Sequence, residues 1–293
     1  MERDSKSWLL FLGVAIAWGS SFLFIDIALA DYSPITITFL RSLLGFLTLT
    51  IWCKIKRIPF LKPSVLWIHL GVLSLLLNSL PSFLFALAQK EISTTIAGLI
   101  NATTPMLTVL FVYILFKGEK IYIAQILGIV VSFIGIAVLL DFSKGYGSNS
   151  AHSVVALFGA VFCFAISYPY IRKFLSRMSE SPEAAVAVQL GLSTVTLSPF
   201  FLSSRPVFSR PPTSSVLAIL MLGIFASGMA YLWNFRLIAI VGSTSASMVS
   251  YLIPLIALVM GITVLGEEIR VNEIFGGAII LSGLALSMRE IAK

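Results

Sequence analysis

The side chains of this sequence that could recognise a solute are few, and most lie inside long apolar runs. Ser74, Asn78 and Ser82 recur at helical spacing, so they share one helix face. Asn101, Thr104 and Thr108 do the same in the next run. An amide or hydroxyl in hydrocarbon needs a partner. Each of these groups therefore either bonds a neighbouring helix or faces a solute, and both readings stand. Trp18, Tyr168, Tyr170, Tyr231, Trp233 and Tyr251 accompany these faces, and Trp18, Tyr231 and Tyr251 lie too deep in their runs for an interfacial belt. Aromatic walls with a few amides and hydroxyls suit a small, partly apolar solute with polar ends. The candidate solute-binding set is Trp18, Ser21, Asn78, Ser82, Asn101, Thr104, Tyr168, Tyr231, Ser247, Ser250 and Tyr251.

Two charges fall within apolar runs, Asp26 and Arg41, and a short loop connects their segments. An unpaired charge there is costly, so the simplest expectation is an Asp26–Arg41 ion pair. The alternatives are a carboxylate-binding role for Arg41 and proton coupling through Asp26. Pro105 and Pro254 each remove one backbone hydrogen bond in mid-helix and are candidate hinges.

Other chemistries have little to stand on. The two histidines, His69 and His152, sit near helix ends, and no nucleophile or metal motif accompanies them. Cys53 and Cys163 are isolated, without metal-ligand or CxxC spacing. No enzyme activity, metal or cofactor is expected. Rings of charge and a filter-like loop are also missing, which leaves a channel-like facilitator as a minor alternative. The formal charge of +7 does not point to nucleic acid, because the basic residues lie in short loops between apolar runs.

The elements that must position these residues are membrane helices. The chain of 293 residues is 58% hydrophobic and only 11% charged, too poor in charge to cover a soluble surface. Its apolar runs approach the roughly 20 residues that cross a bilayer. Ten spans are expected, near 7–29, 34–53, 65–88, 94–116, 121–140, 152–172, 183–203, 214–235, 244–265 and 271–289. The first is expected to be a retained helix, because it is too long for a signal-peptide core. Asp141 to Ser150 reads as the linker between two halves, 1–143 and 144–293.

The halves repeat one another. Pro105, Gly118-Glu119, Gln125, Gly128 and Gly135 return as Pro254, Gly266-Glu267, Glu273, Gly276 and Gly283, at identical spacing from the Gly-Glu pair onward. The offset that carries Pro105 onto Pro254 also carries Asn78 onto Ser227, Ser82 onto Tyr231 and Asn101 onto Ser250. Glu119 and Glu267 fall at helix junctions and read as local caps, and the small-residue stripes read as packing surfaces. Lys54, Lys56, Arg57 and Lys62, Lys117 and Lys120, and Arg172, Lys173 and Arg177 fall on one side. Lys90, Lys144, Arg205, Arg210 and Arg270 alone fall on the other. The richer side is the cytoplasm, which holds both termini. Five helices per half is an odd number, so the halves are inverted, with a solute site expected near the midplane between them. This predicts an all-α polytopic membrane protein that works by alternating access.

Trp18-Gly19-Ser20-Ser21, Phe39-Leu40-Arg41 and the duplicated Pro…Gly-Glu…Gly…Gly pattern resemble the EamA family of the drug/metabolite transporter (DMT) superfamily. The resemblance spans essentially the whole chain. It weakens where Phe164-Ala165 and Gln189 stand in for Trp18-Gly19 and Arg41. It implies a secondary transporter in the inner membrane that exports amino acids or related metabolites. It also implies a cavity among helices one, three, four, six, eight and nine. Drug efflux and exchange of another metabolite are the alternatives within the same superfamily.

Overall fold

A computed structural model describes residues 2–115, 123–140, 148–174, 181–206, 211–234, 236–237, 240 and 249–288. The described part is helical, with no strand. Its elements are α1 (Glu2–Gly19), α2 (Ser21–Leu29), α3 (Pro34–Ile55), α4 (Val65–Leu73), α5 (Leu80–Ala88), α6 (Thr94–Asn101), α7 (Thr104–Leu115), α8 (Ile123–Leu140), α9 (Ser148–Phe174), α10 (Pro182–Ser203), α11 (Thr213–Leu220), α12 (Val249–Leu265) and α13 (Val271–Met288). Local sequence sets several starts. Ser33, Ser93 and Ser181 each accept a hydrogen bond from the amide three residues on, and Pro34 and Pro182 follow where a missing N–H costs little. Of the expected linker, residues 141–147 lie outside the described residues, and Ser148 already begins α9.

Seven runs among the described residues are long and apolar enough to cross a membrane, for example Ser7–Leu29, Val65–Ala88 and Thr213–Asn234. Ile126–Leu139, Leu252–Leu265 and Val271–Gly283 are shorter apolar helices. The surface is correspondingly apolar. Leu9, Ile51, Ile68, Ile123, Val130, Phe133, Val195, Phe200 and Phe275 are all exposed, whereas Asn78, Ser79, Gln189 and Ser193 are buried. Such a distribution suits lipid outside and a polar seam within.

Several runs are not uniform α-helices. π-Helical turns at Ser74–Ser79 and Met221–Met229 interrupt the runs that α4 and α11 begin, at matching places in the two repeats. The first run breaks at Ser20, whose hydroxyl donates to the Ile16 carbonyl. The break between α6 and α7 has a covalent cause. Pro105 has no N–H to offer the Asn101 carbonyl, and the Thr104 hydroxyl donates to it instead, at 2.8 Å. Pro254, its repeat counterpart, lies inside the continuous helix α12. The same residue type thus breaks one helix and leaves the other whole.

The two halves interlock. α8 packs along α13, α3 along α10, α9 against α5 and α7, and α12 against α1 and α6. The α8–α13 seam depends on absent side chains. A Cβ on Gly135 would come within 2.7 Å of the Ile280 nitrogen, and one on Gly276 within 2.6 Å of the Leu139 nitrogen. The Gly stripes are therefore packing surfaces, as their spacing suggests.

Candidate functional site

The two π-turns and the helices facing them carry the polar centre of the bundle. Arg41 on α3 donates from Nε to the Ser227 hydroxyl at 2.8 Å, in the second π-turn. Gln189 on α10 donates from Nε2 to Asn78 Oδ1 at 2.5 Å, in the first. Gln189 is the repeat counterpart of Arg41, and Asn78 that of Ser227. The two hydrogen bonds are thus one interaction made twice, each joining the halves, with a charge in one copy and a neutral amide in the other. A π-turn inserts an extra residue and redirects the side chains around it, a common device at functional sites.

Tyr231 ties these contacts to an aromatic wall. Its hydroxyl accepts from Asn78 Nδ2 at 3.2 Å and donates to the Leu77 carbonyl at 3.3 Å. Pro81 lies four residues beyond Leu77 and has no N–H to donate to that carbonyl. The Trp18 ring meets Tyr231 edge to face at 5.8 Å, and the indole donates to the Ala226 carbonyl at 3.2 Å. Tyr168 is 46% exposed and lies within electrostatic reach of Tyr231. Nearby, Ser193 on α10 bonds both Ser42 (3.0 Å) and Ser79 (2.8 Å), joining three helices through hydroxyls.

Asn78, Tyr231, Trp18, Tyr168 and Arg41 therefore come together. Other expected members do not join this network among the described residues. Ser21 donates to the Trp18 carbonyl, and Thr104 to Asn101, so both hydroxyls are satisfied within their own turns. Asn101 is partly exposed at the α6–α7 break, and Ser82 is buried one turn from Asn78. Ser247 lies outside the described residues, as do the side chains of Ser250 and Tyr251 on α12. Tyr170 bonds His69 Nδ1 at 2.8 Å and leaves the cluster altogether. The expected Asp26–Arg41 ion pair is not formed among the described residues. The guanidinium turns to the second π-turn, while Asp26 sits in the electrostatic field of Glu267.

Glu267 does not cap its own helix. Its carboxylate accepts from the Thr94 amide (2.7 Å), the Thr95 amide (3.2 Å) and the Thr95 hydroxyl (2.6 Å), capping α6 in the other half. Gly266, with φ of 67°, supplies the left-handed turn that ends α12 and aims Glu267 back along it. Glu119 lies outside the described residues.

Gln189 and Ser193 are members of the centre that sequence reasoning did not select. The available signal for Gln189 was the repeat offset, which places it opposite Arg41. Two surface cavities, near Arg270 and Asn272 and near Lys90 and His152, lie at helix ends away from this network.

A profile of the EamA-like transporter family matches residues 5–141 and again 152–289. An uncharacterized transporter of Archaeoglobus fulgidus is 31% identical, with 97% of this chain and 98% of that protein aligned. An uncharacterized transporter in the trpA 3' region of Buchnera aphidicola subsp. Schlechtendalia chinensis is 29% identical over 94% of this chain and 90% of its own. Protein PagO of Salmonella typhimurium is 26% identical over 93% and 89%. One solved crystal structure superposes with a TM-score of 0.68 at 20% identity, covering 98% of this chain and 99% of that one, and so shares the fold.

Proposed function

The chain belongs to the EamA-like transporter family, and from that premise we propose that it is a secondary transporter exporting small metabolites, amino acids foremost, across the inner membrane. The reading has two inverted five-helix repeats, 1–143 and 144–293, rocking about a solute held between them. The observation that carries it is the mirrored pair of bonds, Arg41 to Ser227 and Gln189 to Asn78. Polar groups inside a membrane bundle that join two repeats are where a transported solute is expected.

Purified protein in liposomes, offered labelled amino acids with and without a pH gradient, tests this. Counterflow of at least one amino acid is the expected result. No flux of any amino acid overturns the substrate class, and flux indifferent to the gradient overturns proton coupling through Asp26. A second reading, multisubstrate efflux, draws support from the aromatic wall of Trp18, Tyr168 and Tyr231, which would accept varied apolar groups. Competition by structurally unrelated apolar cations would favour it.

A further inference from the structure

We propose that Arg41 is the recognition group for a carboxylate on the solute, so that this protein carries small monocarboxylates and an α-amino group on them is dispensable. This deepens the transporter reading and rests on it. The argument begins with the missing counter-ion. Arg41 lies within an apolar span, and no carboxylate among the described residues forms an ion pair with it. Of the two acids that most closely precede it along the chain, Asp31 accepts from the Ser215 hydroxyl and Asp26 lies in the electrostatic field of Glu267. A permanent cation without an anion is unfavourable in a membrane interior. A site that keeps one is built to receive negative charge.

Geometry narrows what kind. A guanidinium has five N–H donors, of which the Nε–H is given to Ser227. That bond fixes the plane of the group and leaves the end-on face, made by the two terminal nitrogens, as its fork. This face matches the two oxygens of a carboxylate. Among the described residues, the network that meets Arg41 through Tyr231 is otherwise neutral: the hydroxyl of Tyr231, the carboxamides of Asn78 and Gln189, and the rings of Trp18 and Tyr168. Asn78 Oδ1 is already taken by Gln189. Among the described residues no acid joins this network to meet an ammonium, so the network selects for the carboxylate and only tolerates the amine. A dianion or a phosphate ester would bring more charge than one cation offsets.

The test uses full-length protein in liposomes and the amino acid of highest flux, or phenylalanine if none is transported. Its uptake is challenged with the matching 2-hydroxy acid, which lacks the amine, and with the matching primary amide, which lacks the carboxylate. The 2-hydroxy acid should compete about as well as the parent, and the amide should not compete. Arg41→Gln reproduces the residue that the other repeat carries at this position, so folding should survive, as gel filtration and thermal unfolding will report. It should lower subsaturating flux roughly 30-fold or more, the usual loss when one partner of a desolvated charge pair is removed. Arg41→Lys should retain part of it. Equal competition by the amide, or full activity in Arg41→Gln, overturns the proposal. If no solute is transported, thermal stabilisation of purified protein by the same three compounds decides the matter. Stabilisation by the two carboxylates that vanishes in Arg41→Gln upholds recognition while the transport reading fails. Absence of stabilisation overturns recognition as well.

Discussion

Asn78 is the residue most fully committed by its surroundings. Its carbonyl oxygen accepts from Gln189 and its nitrogen donates to Tyr231. Asn78→Ala leaves a buried amide and a phenol short of partners and should destabilise the protein by about 1–3 kcal/mol, read as a lowered midpoint of thermal unfolding. Gln189→Ala in the same background should cost much less than in the wild type, because the bond it would break is already gone. Additive losses would show that the two side chains act independently. Residue identities were legible to this degree: Asn78, Tyr231, Trp18 and Arg41 stand out as polar, aromatic or charged groups at depth. Their pairings were not. Asn78 and Gln189 lie 111 positions apart, and one sequence carries no distance between them. Asp26 and Arg41, close along the chain, invited the wrong pairing, because loop length limits reach and says nothing about which way each helix face turns.

Among the elements, the cap on α6 has the clearest consequence. Glu267 takes three hydrogen bonds from the first turn of a helix in the other half, and Gly261 leaves room for it. A Cβ at Gly261 would crowd both the Glu267 carboxylate and the Thr95 hydroxyl. Gly261→Ala should therefore lower stability by about 1–3 kcal/mol. Glu267→Ala should lower it by about 1–2 kcal/mol through the lost cap. The pair should combine to less than the sum in a thermal-unfolding cycle, and strict additivity would mean that the cap is not what Gly261 protects. The Gly-Glu motif was visible as a helix junction. That its acid serves a distant helix was not, because spacing along the chain describes only a residue's own neighbours. The π-turns were equally hidden. Their sequences read as ordinary apolar helix, and the extra residue is revealed only by backbone bonds such as Leu80 N to Leu75 O.

For the whole molecule, the duplicated pattern and the apolar runs made the helical architecture readable, since hydrocarbon permits few backbone solutions. Reporters fused to each end should both respond as cytoplasmic, and an external carboxyl terminus would contradict the expected count of spans. The charge difference between the mirrored bonds has an electrical consequence. With Arg41 carrying a unit charge and Gln189 none, the mirrored centre of the empty protein holds one cation that forms no ion pair among the described residues. Any rearrangement that shifts Arg41 along the membrane normal moves that charge through the field, at up to about 2.3 kcal/mol per 100 mV for a full crossing. A bound carboxylate cancels it, provided the solute has no other charge. Liposomes clamped at different potentials should then show exchange between loaded forms indifferent to voltage and net efflux sensitive to it. The membrane potential would act as the clock on the unloaded return stroke.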